Sequence, residues 1–182
     1  MVEYYIKDTK SLALRYLARY SCSSAKLKQY LLKKLDFNNA IKEPEEKRLI
    51  LENVENVVEY MVKLGYVNDE IYAKSQFNSF INKGKSIMQM SHKFMEKGLT
   101  KAHLDNNIKN YDSSELQIFL ATKFIKKKSL GCYYKKIQDQ DMEKSIAIMY
   151  RNGFNFDVIK KVLSLEIEEA DEILSKNLEN YE

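Results

Sequence analysis

Residues that interrupt helices are scarce in this chain, and this scarcity limits its possible folds more than any other feature. The 182 residues include one proline and five glycines. A fold built from many strands and tight turns needs more residues that favour turn conformations. Apolar residues recur at helical spacing, whereas the alternation of a half-buried strand is hard to find. The sequence therefore predicts an all-helical protein.

The stretch at residues 65–73 indicates how the helices are joined. Gly65 follows a long amphipathic segment and readily adopts the left-handed conformation that ends a helix. Asn68 or Asp69 then offers a side-chain oxygen to the free N–H groups of the next helix. The sequence predicts that one helix follows another here with almost no linker.

Comparable signals set the other helix boundaries. The first helix is predicted over residues 10–20, with Tyr16 and Tyr20 on one face, and the stretch from Lys126 to Lys136 is interpreted as less regular. An Asp112/Glu115 capping box is expected to open a later helix. The other predicted starts lie at Ser23, Glu45 after Pro44, Ser86, Thr100, Asp141, and either Asn155 or Asp157.

The order helix, helix, stop, helix occurs three times and predicts stacked three-helix repeats. The second helix of each round ends with a polar residue or glycine followed by an apolar residue, as in Gly98-Leu99 and Gly153-Phe154. The predicted boundaries are 1–64 (with an insertion at about 38–50), 65–111, 112–163 and an acidic C-terminal helix at 164–182.

The net charge of +4 conceals a pattern. Residues 1–40, 71–111 and 112–138 are basic, whereas residues 41–70 and 139–182 are acidic. Stacked repeats would align the basic blocks into a stripe suited to a phosphate backbone or to an acidic groove on a partner. Tyr16, Tyr20, Tyr133 and Tyr134 lie among these charges; they either stack on bases or, as is commoner in helices, belong to the core. The candidate contact residues are Arg15, Arg19, Lys26, Lys33, Lys83, Lys85, Lys93, Lys97, Lys126, Lys127 and Lys128.

Catalytic and metal-binding motifs are not found in the sequence. His92 and His103 match no ligand motif, and the scattered glycines cannot form a phosphate-binding loop. Cys22 and Cys132 lie far apart and are interpreted as two reduced thiols. No apolar run is long enough to cross a membrane, and the first residues do not resemble a signal peptide. We therefore expect neither an enzyme, a cofactor, a metal site nor a membrane protein.

Five motifs in series resemble the RecX family of bacterial regulators. They are residues 14–27 (LRYLARYSCSSAKL), 65–73 (GYVNDEIYA), 83–84 (KG), 97–99 (KGL) and 150–154 (YRNGF). The resemblance covers about residues 10–163. Two departures are Leu35-Asp36, where the family usually has glycine, and Lys26, where it usually has an acidic residue.

The resemblance implies an elongated, curved array of three-helix repeats. It also implies a non-enzymatic, cytoplasmic regulator, and we expect it to act as a monomer. The expected partners are the RecA filament and single- or double-stranded DNA, and the expected effect is inhibition of RecA ATPase, strand exchange and coprotease activities. The family's basic helices correspond here to those bearing Arg15, Arg19, Lys26, Lys33, Lys83, Lys85, Lys93 and Lys97.

Three other hypotheses stay open at this point. A sequence-specific helix-turn-helix protein would read bases with Gln89, Asn106 or Asn107. A helical scaffold for another protein would be indifferent to nucleic acid. The acidic segment after residue 164 would fold back and compete with DNA for the basic face.

Overall fold

The computed structural model describes residues 2–35, 43–134 and 141–175. These residues form ten α-helices and one 3-10 turn, and they contain no strand, which confirms the predicted all-helical class. The helices are α1 (Val2–Leu17), α2 (Ser24–Lys34), α3 (Pro44–Lys63), α4 (Asp69–Asn82), α5 (Ile87–Glu96), α6 (Lys101–Ile108), α7 (Ser113–Lys128), α8 (Met142–Arg151), α9 (Phe156–Leu163) and α10 (Ile167–Ser175). The 3-10 turn, Gly131–Tyr133, follows α7.

The chain forms two compact units. Unit 1 contains the described residues of Met1–Ala73 and Glu96–Leu99, and unit 2 contains those of Lys74–Met95 and Thr100–Glu182. In unit 1, α1, α2 and α3 pack around a core that includes Leu27, Leu31 and Val54. In unit 2, α7 packs against α9 and α10, and α8 packs against α9. The finer division at 1–64, 65–111, 112–163 and 164–182 stays a prediction.

Most of the predicted helix boundaries are found. All five glycines have positive φ, so each marks a turn that other residues rarely adopt. Asn68, rather than Asp69, accepts the free N–H of Ile71 at 3.0 Å. The predicted caps accept as expected at Ser23, Ser86, Thr100, Asp112, Asp141 and Asn155.

The prediction for the first helix was wrong at both ends. Helix α1 begins at Val2 and ends at Leu17, so Tyr20 lies beyond it and is exposed. The buried positions Thr9 and Ala13 continue the apolar face towards the N-terminus, and Asn53 donates to the Thr9 hydroxyl at 3.0 Å. Packing against α3 therefore extends this helix further than its capping signals indicate.

The interpretation of residues 126–128 as irregular was also wrong. These lysines form the last turn of α7, which ends at Ser129 with a left-handed φ of 52°. Phe124 and Ile125 are buried and carry the apolar face of the helix to its end. Lys135 and Lys136 lie outside the described residues. Of the predicted insertion, residues 44–50 belong to α3, Glu43 is the residue just before that helix, and residues 38–42 lie outside the described part.

Candidate nucleic-acid and partner interface

The hydroxyl of Ser23 joins two distant parts of unit 1. It accepts the Lys26 N–H at 3.2 Å, which caps α2, and donates to the Lys97 carbonyl at 2.6 Å. A Cβ atom at Gly98 would lie only 2.8 Å from this hydroxyl, so only glycine fits at the contact. The contact brings together the backbones of Lys26 and Lys97, two candidate residues that are far apart in sequence. We name it the first serine–glycine junction.

A carboxylate supports this junction from α4. Asp69 accepts from the Ser24 N–H at 2.7 Å and from the Ser24 hydroxyl at 2.6 Å. A negative charge at the start of α2 also interacts favourably with the helix dipole. The start of α2 is thus held by hydrogen bonds to both the end of α5 and the start of α4.

Three tyrosines stack in unit 1, and one of them, Tyr30, lies on α2 one turn after Lys26. The Tyr16 ring lies 4.0 Å from the Tyr30 ring, centroid to centroid, and nearly parallel to it, and 5.2 Å from the tilted Tyr20 ring. Lys97 Nζ lies 6.0 Å from the centroid of Tyr72. Burial raises the pKa of Cys22 to about 11, with the Asp69 charge adding to it, so this thiol stays neutral at pH 7.

The predicted basic residues of unit 1 differ in their surroundings. Arg15 forms an ion pair with Asp8 at 3.5 Å. Arg19 and Lys33 are exposed, while Lys26 is half-buried and donates to the neutral Gln29 amide at 2.8 Å. Within the described residues, no ion pair involves Arg19, Lys26 or Lys33. The positive charges of these three residues are therefore available to bind an anion.

Unit 2 contains a second serine–glycine junction of the same design. The Ser86 hydroxyl accepts the Gln89 N–H at 3.2 Å and donates to the Asn152 carbonyl at 2.6 Å. A Cβ atom at Gly153 would lie 2.9 Å from the Ser86 hydroxyl. The Gln89 amide donates to the Asn152 side chain at 2.8 Å. The half-buried Gln89 side chain therefore forms part of this junction.

The other predicted cations of unit 2 lie on several elements. Lys83 is exposed and donates to Ser79 at 2.9 Å, Lys85 is half-buried, and Lys93 is exposed. Lys127 and Lys128 are exposed in the last turn of α7.

The remaining candidate lysine, Lys126, forms an ion pair with an acidic side chain of α10. Asp171 accepts from Lys126 Nζ at 2.8 Å and from the Tyr133 hydroxyl at 2.7 Å. These bonds lower the pKa of Asp171, and burial together with the same carboxylate raises the pKa of Tyr133. The acidic helix therefore does contact one end of the basic segment, through one ion pair.

Sequence reasoning missed Asp69, Tyr30 and Tyr72 as members of this site. A signal for Tyr30 was present, because Lys26, Tyr30 and Lys33 follow the i, i+4, i+7 spacing of one helix face. No local rule links Asp69 to Ser24 or Lys97 to Tyr72, since those partners come from different helices. In the described part of the chain, no group of side chains is arranged to hold a metal ion, and no helix is long and apolar enough to span a membrane.

The comparisons with known proteins agree with this architecture. No family model matches the sequence. The chain is 28% identical to the regulatory protein RecX of Myxococcus xanthus over 83% of this chain and 81% of that protein. It is 27% identical to RecX of Lactococcus lactis strain SK11, over 95% of this chain but only 65% of that longer protein. The corresponding protein of Clostridioides difficile is 26% identical over 93% of this chain and 73% of its own length.

Two crystal structures share the fold. RecX from Lactobacillus salivarius superposes with a TM-score of 0.65 at 18% identity, over 92% of this chain and 97% of that one. A second regulatory protein RecX gives a TM-score of 0.64 at 19% identity, over 88% and 72% of the two chains. Fold and relatives together define an all-helical regulatory protein. Within that class, the relatives and the superposed structures that this chain resembles are RecX proteins.

Proposed function

We propose that this protein is a non-enzymatic, cytoplasmic regulator that binds the RecA–DNA filament as a monomer and lowers RecA ATPase, strand-exchange and coprotease activities. The observation that carries the proposal is the first serine–glycine junction, which joins the backbones of Lys26 and Lys97 on a unit that also holds the stacked rings of Tyr16 and Tyr30. The RecX relatives supply the regulatory role. RecA and DNA are the partners that the family resemblance implies.

Charge supports nucleic acid as part of the target. Arg19 and Lys33 are exposed, and with Lys26 they take part in no ion pair of the described residues. Cations that contact phosphates release counterions, so binding should weaken steeply with added salt. A scaffold that recognises only protein through apolar contacts would show little such dependence. The dependence of binding on salt concentration therefore distinguishes a nucleic-acid-binding regulator from a protein scaffold.

The helix-turn-helix alternative is less well supported. Two of its three base-reading candidates are engaged within the protein: Gln89 bonds to Asn152, and the Asn107 amide donates to the His103 carbonyl at 2.7 Å. A recognition helix needs such amides free to reach base edges in the major groove. Footprinting that protects one defined sequence would favour this alternative.

The proposal is tested by titrating the protein into RecA on single-stranded DNA at two salt concentrations. We expect inhibition of ATP hydrolysis that is stronger at low salt. The variant Lys26→Glu/Lys97→Glu should raise the concentration for half-inhibition about tenfold or more, because it places repulsive charges at the junction.

A matched control is Lys10→Glu/Lys63→Glu, which makes the same charge change elsewhere in unit 1. It should shift the curve less than about threefold, through the general effect of net charge alone. Absence of inhibition by the unmodified protein at stoichiometric amounts and low salt would contradict the proposal. If both double variants lose inhibition equally, the first serine–glycine junction is not part of the interface.

A further inference from the structure

Three tyrosine rings stack in unit 1, and three of the predicted cations lie near them along the sequence. Tyr30 lies between Lys26 and Lys33 on the same face of α2, at the i, i+4, i+7 positions. Its ring stacks on Tyr16 of α1, with 4.0 Å between centroids and 20° between planes. Arg19 lies three residues after Tyr16 in the sequence. We name Tyr16, Tyr20 and Tyr30 the tyrosine stack.

The tyrosine stack is anchored at one end and open at the other. Tyr16 and Tyr30 are half-buried and pack against the core of unit 1. Tyr20 lies beyond the end of α1, and 58% of its surface is exposed. Its ring centroid is 5.2 Å from that of Tyr16, at 40° between planes. An aromatic ring held by another ring, with its remaining surface exposed, is a platform on which a further planar group can stack.

The charges around the stack are suited to an anionic ligand. Arg19, Lys26 and Lys33 have no ion pair with any acidic residue that the structure describes. Lys28, which lies elsewhere around α2, forms an ion pair with Glu55 of α3 instead. Positive charge that is not neutralised therefore remains on the face of α2 that carries Tyr30.

We propose that the tyrosine stack is a binding platform for single-stranded nucleic acid, with a base on Tyr20 and the adjoining phosphates on Arg19, Lys26 and Lys33. This inference deepens the proposed function, on which it rests, by naming the form of nucleic acid and the residues that take it. Aromatic stacking combined with a cationic track is how proteins bind single strands without reading sequence. In a duplex the base faces are already stacked on one another, so Tyr20 would add little.

The first test compares two tyrosines of equal exposure. Tyr20 and Tyr66 are both 58% exposed in unit 1, but Tyr66 follows Gly65 and has no described ring contact. Binding of a fluorescein-labelled oligothymidylate of about 16 nucleotides is followed by anisotropy, using the full chain. We expect Tyr20→Ala to weaken binding about five- to tenfold, which is the lower end of the range for one lost base stack and suits an exposed ring. Tyr66→Ala should stay within about twofold of the unmodified protein, and Tyr20→Phe should bind normally.

The second measurement separates bases from phosphates. The sequence contains no tryptophan, so Tyr20→Trp introduces a single indole reporter. We expect its emission to change when oligothymidylate is added and to remain unchanged with an abasic oligonucleotide of the same length. A duplex of that length should bind Tyr20→Ala and the unmodified protein within about twofold of each other, because phosphate contacts persist.

Several outcomes would overturn the platform. They are no binding of oligothymidylate by the unmodified protein at low salt, equal losses for Tyr20→Ala and Tyr66→Ala, and an equal emission change with the abasic strand. Unchanged oligothymidylate binding together with weaker RecA inhibition in Tyr20→Ala would assign Tyr20 to a protein contact. Because the oligonucleotide assay contains no RecA, its failure leaves inhibition of RecA untouched. Conversely, if the unmodified protein binds oligothymidylate through Tyr20 but does not inhibit RecA, only the proposed function is contradicted.

Discussion

The two serine–glycine junctions share one design but differ in what supports them. In each, a serine caps one helix and donates to the carbonyl that precedes a left-handed glycine, at 2.6 Å in both cases. The first junction is supported by the Asp69 carboxylate, whereas the second is supported by the amides of Gln89 and Asn152. The shared part fixes the helix contact, and the differing part sets the local charge.

The glycines of the two junctions also meet different neighbours. A Cβ atom at Gly98 would meet the Ala25 Cβ at 2.9 Å and the Lys26 backbone N at 3.3 Å, both of which belong to α2. A Cβ atom at Gly153 would meet the terminal methyl of Met88 at 2.5 Å, the Met88 Cβ at 2.9 Å and the Ser86 hydroxyl at 2.9 Å. Both glycines are therefore closely surrounded, by Ser23 and α2 at the first junction and by Met88 and Ser86 at the second.

The largest effect should come from filling the first junction. Gly98→Ala adds a methyl group against α2 and forces a left-handed φ of 72° on a residue with a Cβ. We expect it to lower the free energy of unfolding by about 2 to 5 kcal/mol, from left-handed strain and overpacking together. Urea unfolding followed by circular dichroism measures this change.

Gly65→Ala is the matched control for that substitution. Gly65 has a φ of 76°, but a Cβ there would meet nothing within 4 Å. Only the conformational cost remains, about 1 to 2 kcal/mol. Gly153→Ala should cost about as much as Gly98→Ala, because the Met88 Cβ, 2.9 Å away, cannot move without its helix. Equal losses at Gly65 and Gly98 would show that close packing does not constrain the first junction.

Removing the serine hydroxyls should have a smaller effect, and the junctions should differ. Ser86→Ala removes a helix cap and should cost about 1 to 2 kcal/mol. Ser23→Ala should cost less, because Asp69 still accepts the Ser24 N–H at the start of α2. The exposed Ser114, whose N–H is bound by Asp112, provides a control that should change stability by less than about 0.5 kcal/mol when it becomes alanine. A larger loss for Ser23→Ala than for Ser86→Ala would mean that Asp69 does not compensate.

The smallest effect concerns the acidic helix α10 of unit 2, whose Asp171 pairs with Lys126 of α7 as Glu55 of α3 pairs with Lys28 of α2 in unit 1. Asp171→Asn breaks the ion pair with Lys126 and leaves that lysine available to phosphate. Glu168→Gln makes the same charge change on α10 at an exposed residue. We expect Asp171→Asn to bind oligothymidylate about twofold more tightly than Glu168→Gln, as suits one exposed ion pair. Equal affinities in anisotropy titrations would remove α10 as a competitor for the basic end of α7.

The local structure of this protein was determined by its sequence. The all-helical class follows from scarce glycine and proline, and the caps at Ser23, Ser86 and Asn155 were predicted correctly, because a cap depends on groups within about three residues. Helix ends that depend on packing were missed. Helix α1 extends to Val2 and α7 includes Lys126–Lys128, since buried side chains such as Thr9 and Ile125 extend the helices beyond their local signals.

Only the tertiary structure decided which of the predicted basic residues lie together and which are neutralised. Ser23 reaches Lys97 across 74 positions, Ser24 reaches Asp69 across 45, and Lys126 reaches Asp171 across 45. Hydrogen bonds over such separations depend on how helices pack, and helical periodicity gives the face of a residue but not the helix that it meets. The sequence thus specified a set of cations, and helix packing placed Lys26 beside Lys97 and the tyrosine stack while pairing Lys126 with an acid.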